Sequence, residues 1–283
     1  MKISLKIILA LCSLGCLTGF PWAFLPWEIT EHIINMQNAI PIGNAGFTIL
    51  SYRFHCLLFG AFAFYFFILL YRSAKYAKLI NIAAYLLIVM GVYMHWLKLR
   101  SGLLNTASHW EPVIWALIGG LILLFNRKTY TTAKKVKHST SNDRRGQLCL
   151  KAIACLLASS LIWIFLPYSS RMAILHQFTL PVNTLHAHEQ YTMGLIAGFL
   201  GFSSIIIWII STKTNHYSEL YKLILGVFIC VPFILSIWLI QLELNSVILY
   251  LLLIFFELTG IGLAISHYKN RQLDTSRSFS HLK

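Results

Sequence analysis

The chain has 283 residues, 58% hydrophobic and only 11% charged, and its mean hydropathy is +0.70. A soluble domain carries about 25% charged residues, so these values exclude a soluble globular protein and point to a multi-pass membrane protein. A formal charge of +14 would by itself suggest a nucleic-acid partner, but the placement of the charges, given below, excludes that reading.

A helix needs about 20 apolar residues to cross the hydrocarbon core. Runs of this kind lie near 6–26, 50–71, 79–98, 110–126, 149–167, 190–210, 222–240 and 246–267, the fourth being the shortest. The fold class expected is therefore all-α, with eight transmembrane helices. The first run has features of a signal peptide: Lys2 and Lys6 precede an apolar core, and SLGC resembles a lipoprotein cleavage box. Ser13 stands where such boxes want a branched apolar residue, and the run continues through FPWAFLP. A retained helix is expected.

A longer outer loop of roughly 20 residues follows the first and the fifth run, and the connections among runs two to four and six to eight are tight. Between the fourth and fifth lies RKTYTTAKKVKHSTSNDRRGQ at 127–147, a polar, basic stretch that reads as a linker. It divides the chain into a first membrane half (1–126), a linker (127–148), a second membrane half (149–268) and a tail (269–283). With the N-terminus inside, 19 of the 23 Lys and Arg residues fall on inner segments, and only Arg53, Lys98, Arg100 and Arg171 lie at outer ends. The positive-inside rule then puts both termini in the cytoplasm, in a membrane of the bacterial inner-membrane type. The positive charge orients the chain and meets anionic lipid heads, with no need for nucleic acid.

The halves resemble each other. FLPW at 24–27 answers FLPY at 165–168 at an offset of 141 residues; FHCLLFGAF (54–62) answers TMGLIAGFL (192–200) at 138; KLI recurs at 144, and LKLRS answers LELNS at 145. Four helices per half leave both halves in the same orientation, so parallel repeats are expected. Pairs such as Gly15/Gly19, Gly194/Gly198 and Gly260/Gly262 mark close helix contacts.

Within this pattern, FLP closes the first helix and a polar residue opens the second (Arg53; Glu189). A glycine follows inside it (Gly60; Gly198), and an acid stands early or midway in the fourth (Glu111; Glu257). On these features the chain resembles the DoxX-like group of small four-helix membrane proteins, in tandem. The resemblance implies a four-helix bundle in each half. For some members of the group it also implies a place as a subunit of a quinone-linked oxidoreductase. The halves differ at the polar positions.

The outer ends collect seven of eleven histidines (His32, His55, His95, His109, His176, His186, His188) and five of nine acids (Glu28, Glu31, Glu111, Glu189, Glu243). In HAHE (186–189) an extended backbone would place His186 and His188 on one side. With Glu189 they would offer three ligands to zinc, copper or iron, a fourth coming from His32, His109 or His176. The alternative is imidazoles and a carboxylate paired at the interface. His55 and His95, on different helices at similar depth, are a candidate pair for haem iron. Arg53 either snorkels to headgroups or pairs with Glu111 or Glu189. Glu257, near the centre of the last helix, is expected to face the interior, as a functional carboxyl or as a neutral hydrogen-bonded one. Pro232 is expected to kink the seventh helix. The aromatic run FGAFAFYFF (59–67) is expected to face lipid and neighbouring helices. None of the six cysteines forms CxxC; Cys12 and Cys16 share a helix face, which suits packing, or less simply a soft metal.

No P-loop, dinucleotide fingerprint, GxSxG or HExxH occurs. The reading that best fits is handling or transport of a small or lipid-like ligand inside the bundle, with Arg53, His55, Glu111, Glu189 and Glu257 as binding residues. The alternatives are a membrane oxidoreductase component holding metal, haem or quinone, and an accessory subunit bound to a membrane protein partner.

Overall fold

The computed structural model describes residues 3–37, 42–43, 45–103, 110–130, 144–178, 180, 182 and 184–280, and among them every regular element is a helix. In chain order these are α1 (Ile3–Leu17), α2 (Gly19–Phe24), α3 (Trp27–Gln37), α4 (Gly46–Tyr71), α5 (Ala77–Ser101), α6 (Glu111–Tyr130), α7 (Arg144–Ser159), α8 (Ile162–Phe165), α9 (Tyr168–Gln177), α10 (Ala187–Thr212), α11 (Ser218–Gln241) and α12 (Val247–Ser280). Among the described residues seven stretches are long and apolar enough to cross a membrane: Ile3–Phe24, Gly46–Tyr71, Ala77–Ser101, Gly146–Phe165, Ala187–Thr212, Ser218–Gln241 and Val247–Lys269. The eighth run, expected at 110–126, is the shorter apolar helix Glu111–Asn126. At 1.5 Å per residue this apolar part covers about 24 Å of the ~30 Å hydrocarbon core, and α6 continues beyond it to Tyr130.

Proline chemistry shapes the entry to each half. Leu25 and Leu166 precede Pro26 and Pro167 and are extended, with ψ of 147° and 140°. A residue before proline is pushed out of the helical region by the ring, so α2 and α8 stop there. The break between α1 and α2 falls at Thr18, whose hydroxyl donates to the Gly15 carbonyl at 2.6 Å. Pro21, three residues on, has no N–H to continue the ladder. At the same break Gly19 lies directly against the Cys56 carbonyl and the Gly60 nitrogen of α4, a contact that leaves no room for a Cβ.

The two 26-residue helices α4 and α10 pack against each other at the centre. Around them the pairing has one pattern. α1 and α2 lie on α4, as α7 and α8 lie on α10. α5 pairs with α6, as α11 pairs with α12. The third long helix of each half crosses to the other's centre, α5 on α10 and α11 on α4.

The elements also keep one spacing. α7, α9, α10 and α11 begin 141 residues after α1, α3, α4 and α5. Phe20 packs on Gly60, and Leu161 packs on Gly201 at the same spacing. Gly102 (φ 74°) and Glu243 (φ 53°) both end a helix in the left-handed region. The bonds Leu103 N–H to Lys98 O (2.9 Å) and Leu244 N–H to Leu239 O (3.0 Å) close the same Schellman cap. FLPW and FLPY therefore occupy matching positions. The sequence matches at offsets of 138, 144 and 145 lie three or four residues out of step with the helices that contain them.

Candidate functional site

The helical repeat sets a stripe on α4. Tyr52, His55, Cys56, Phe59, Phe62 and Phe66 fall at spacings of one, three and four residues and face the interior between α1, α5, α6 and α10. There they line a cavity of about 240 Å³. Met90 and Met94 of α5, Trp115 of α6, and Phe199 and Phe202 of α10 close it. The run FGAFAFYFF is thus divided. Phe64 and Phe67 are exposed on the outer surface, whereas Phe59, Phe62, Tyr65 and Phe66 line the cavity.

The cavity is apolar along most of its wall and polar at one end. Glu111 opens α6, where the helix dipole favours a carboxylate. Its side chain is 42% exposed, and it lines the cavity. Lys98, buried to 1% exposure, holds its ammonium 3.8 Å from the Glu111 carboxylate and 5.6 Å from the centre of the Tyr191 ring. His55 lies among rings, 5.6 Å from Phe199, 6.4 Å from Tyr52 and 6.5 Å from Phe59 between centroids. The wall therefore supplies one carboxylate with its counter-ion, an imidazole, the phenols of Tyr52 and Tyr65, the thiols of Cys16 and Cys56 and the Thr18 hydroxyl, and otherwise apolar or aromatic surface.

Of the five residues expected to bind a ligand, His55 and Glu111 line this cavity and Arg53, Glu189 and Glu257 do not. Arg53 pairs with neither Glu111 nor Glu189. Its guanidinium donates to the Leu25 carbonyl at 3.3 Å, at the end of α2, and lies 5.7 Å over the Trp238 ring. Glu189 is occupied on both oxygens. Thr48 of α4 donates to one, and the His186 backbone N–H donates to the other at 2.7 Å. HAHE is therefore not extended: His186 is the N-cap of α10 and Glu189 the third residue of its first turn, where a carboxylate satisfies helix N–H groups. His186 is exposed while His188 is buried. No group of three or more His, Cys, Asp or Glu side chains placed to hold a metal ion occurs among the described residues. His32 and His176 are exposed on α3 and α9, and His109 lies outside the described residues. His95 is exposed on α5 and does not line the cavity with His55. Cys12 and Cys16 are buried in the core cluster on α1, the packing role expected of them. Glu257 is half-buried on α12 and lines neither this cavity nor the second one. Lys98, Tyr52 and Cys56 were not singled out by the sequence. Lys98 reads there as an end-of-helix charge, and the i, i+3, i+4 relation of Tyr52, His55 and Cys56 was the available signal.

A second cavity, about 290 Å³, lies between α4, α10, α11 and α12. Its wall repeats the first at the 141-residue spacing: Leu157 for Cys16, Leu200 for Phe59, Ile206 for Tyr65, Val231 for Met90, Leu252 for Glu111 and Phe256 for Trp115. Pro232, inside α11, lines it. Its wall is almost entirely apolar, the exceptions being Ser203 and Tyr65, and Tyr65 lines both cavities.

No family model, curated protein or solved structure matches the chain. The functional reading therefore rests on the residues themselves.

Proposed function

We propose that this integral membrane protein binds a small or lipid-like ligand, apolar over most of its length with one polar group, in the cavity of its first half. The observation that carries the reading is the contrast between the two cavities. Most of their wall positions correspond, yet the first has Glu111 and Trp115 where the second has Leu252 and Phe256, and Tyr52, His55 and Cys56 have no counterpart lining the second. Packing alone does not call for a carboxylate, its buried lysine and an imidazole in a membrane interior, where ionisable residues are costly. Apolar wall with a few convergent polar groups is the common form of a small-ligand site, although 240 Å³ lies below the roughly 300–1,000 Å³ typical of drug-sized ligands. A ring or a short chain segment with a hydrogen-bonding head suits it. A quinone head falls in this class, which keeps the oxidoreductase alternative in its quinone form.

The architecture belongs to the same proposal. Two parallel four-helix repeats of DoxX-like type, eight crossings with α6 as the shortened one, and cytoplasmic termini in a bacterial inner membrane are supported by three features. These are the constant spacing, the exchanged helix pairing and the 19 of 23 basic residues on one side. Arg53 and Glu189, expected to bind ligand, serve the helix ends instead, and Glu257 has no contact with either cavity.

The test is small-molecule mass spectrometry on detergent-purified protein, comparing wild type with Ala83→Phe and Ile224→Phe. Ala83 and Ile224 hold matching places in the first and second cavities. Ala83→Phe is expected to lose a co-purifying molecule that Ile224→Phe retains. An identical small-molecule complement in all three proteins would overturn the reading.

A further inference from the structure

The end of the bundle that carries the two FLP breaks has four basic residues, and three of them have defined work. Arg53 serves the Leu25 carbonyl. Lys98 faces Glu111. Arg100 donates to the Ile164 carbonyl at the end of α8 and lies 5.3 Å over the Trp96 ring. The fourth, Arg171 of α9, is only 6% exposed and takes part in no ion pair among the described residues.

Arg100 and Arg171 line one small cavity together with Trp163, Ile164, Gln190 and Ser101. Its wall is rich in donors, and its side-chain acceptors, the Ser101 hydroxyl oxygen and the Gln190 Oε1, do not pair with the Arg171 Nε or the Trp163 Nε1. The Nε of Arg171 and the indole Nε1 of Trp163 are buried and have no hydrogen-bond partner among the described residues. The Ile164 carbonyl already accepts from Arg100. The Ser101 hydroxyl donates to Leu97 O at 2.8 Å, and the Gln190 amide donates to Leu185 O at 2.9 Å. The carboxylate nearest in sequence, Glu189, is engaged by Thr48 and the α10 cap. Burial and the neighbouring Arg100 both push the Arg171 guanidinium down from its ordinary value, the direction expected when two cations meet with no anion between them.

Two guanidinium groups and an indole N–H around one space, without a carboxylate, are a poor arrangement for stability alone. A buried charge without a partner is strongly destabilising, and each unsatisfied buried donor calls for an account. An oxyanion supplies what is missing, because guanidinium forks bind phosphate oxygens with short, charge-assisted bonds. The space measures about 10 Å³, the minimum for one water-sized centre. It admits a single oxygen atom, so the rest of the anion stands outside the wall. We propose that Arg100, Arg171 and Trp163 form a binding site for one oxygen of a phosphate group at this membrane face. The phosphodiester of an anionic lipid and free inorganic phosphate share this chemistry, and the experiment separates them.

The full chain in detergent is titrated with phosphatidylglycerol, with phosphatidylcholine and, separately, with inorganic phosphate. Bound lipid is counted by native mass spectrometry, and inorganic phosphate is followed by its effect on thermal unfolding. Wild type is expected to prefer phosphatidylglycerol, and Arg171→Gln to lose that preference at least tenfold. Trp163→Phe, which keeps the ring and removes the N–H, is expected to weaken it several-fold. An unfolding shift with inorganic phosphate alone, abolished in both variants, supports the site with a free anion as its ligand. If Arg171→Gln fails to fold, Trp163→Phe decides by itself. Equal lipid counts and equal phosphate response in wild type and Trp163→Phe overturn the proposal, as does an Arg171→Gln protein that folds and binds like wild type.

Discussion

Thr48 and Glu189 stand 141 residues apart, at the third position of α4 and of α10, and they touch: the threonine hydroxyl donates to the glutamate carboxylate. The two central helices are thus joined by residues in the same place of each half. A hydrogen bond to a charged group contributes about 1.5–3 kcal/mol, and this one is buried. Thr48→Val is therefore expected to lower the thermal unfolding temperature of the purified protein by several degrees, and Thr48→Ser to keep most of it. Equal stability of wild type and Thr48→Val would show that the bond is not a joint between the halves.

The same carboxylate ties HAHE to the cap of α10. With both Glu189 oxygens engaged and His186 exposed at the cap, the double substitution His186→Ala/His188→Ala is expected to leave the metal content of the purified protein unchanged. Glu189→Ala is expected to destabilise the protein more than Thr48→Val does, because it removes the cap of α10, about 1 kcal/mol, as well as the bond to Thr48. A stoichiometric metal that disappears with the two histidines would reverse this assignment.

Lys98 and Glu111 are expected to be coupled. Lys98 is buried, but the Glu111 side chain is 42% exposed, so screening holds the coupling to about 0.5–1 kcal/mol, below that of a fully buried pair. Lys98→Met and Glu111→Leu should each destabilise, and the double variant should be more stable than the sum of the two implies, by more than about 0.5 kcal/mol. Additive losses would mean that the 3.8 Å approach carries no energy.

Glu243 offers a stabilising change. Its φ of 53° is in the region where a Cβ costs roughly 1–2 kcal/mol, whereas the matching position holds Gly102. Glu243→Gly is expected to raise stability by about 1 kcal/mol and Gly102→Ala to lower it by a similar amount. The check is the midpoint of thermal unfolding for both variants under one detergent condition.

At the opposite end, Glu219 of α11 accepts from Lys75 at 2.8 Å and from the Tyr76 hydroxyl, with Arg72 at 3.5 Å. The Tyr76 and Tyr217 rings, again 141 residues apart, lie 5.6 Å from each other. Tyr76 donates its proton to Glu219, and burial together with that carboxylate raises its phenol above the ordinary value. Tyr76→Phe should cost about 1–3 kcal/mol by removing a bond to a charged acceptor. Glu219→Gln should loosen the α4–α5 and α10–α11 turns together, which protease nicking of intact protein would detect.

The membrane class, seven of the expected spans, the FLP breaks and the uneven charge could be read along the chain because each depends on local composition. Apolar length decides whether a segment prefers lipid, and a proline constrains the residue before it wherever it stands. Partnership is a different matter. Whether Glu111 meets His55 and Lys98, whether Glu189 binds a metal or caps a helix, and whether Glu257 faces a cavity depend on helix rotation and on which helices adjoin. In a bilayer those choices come from close packing and hydrogen bonds between helices, such as Gly19 against α4 and Thr48 against Glu189. Apolar periodicity carries little of that information, because lipid-facing and buried faces are both apolar. The crossing of α5 to α10 and of α11 to α4, and with it the contrast between a polar and an apolar cavity, emerged only when the two halves packed together.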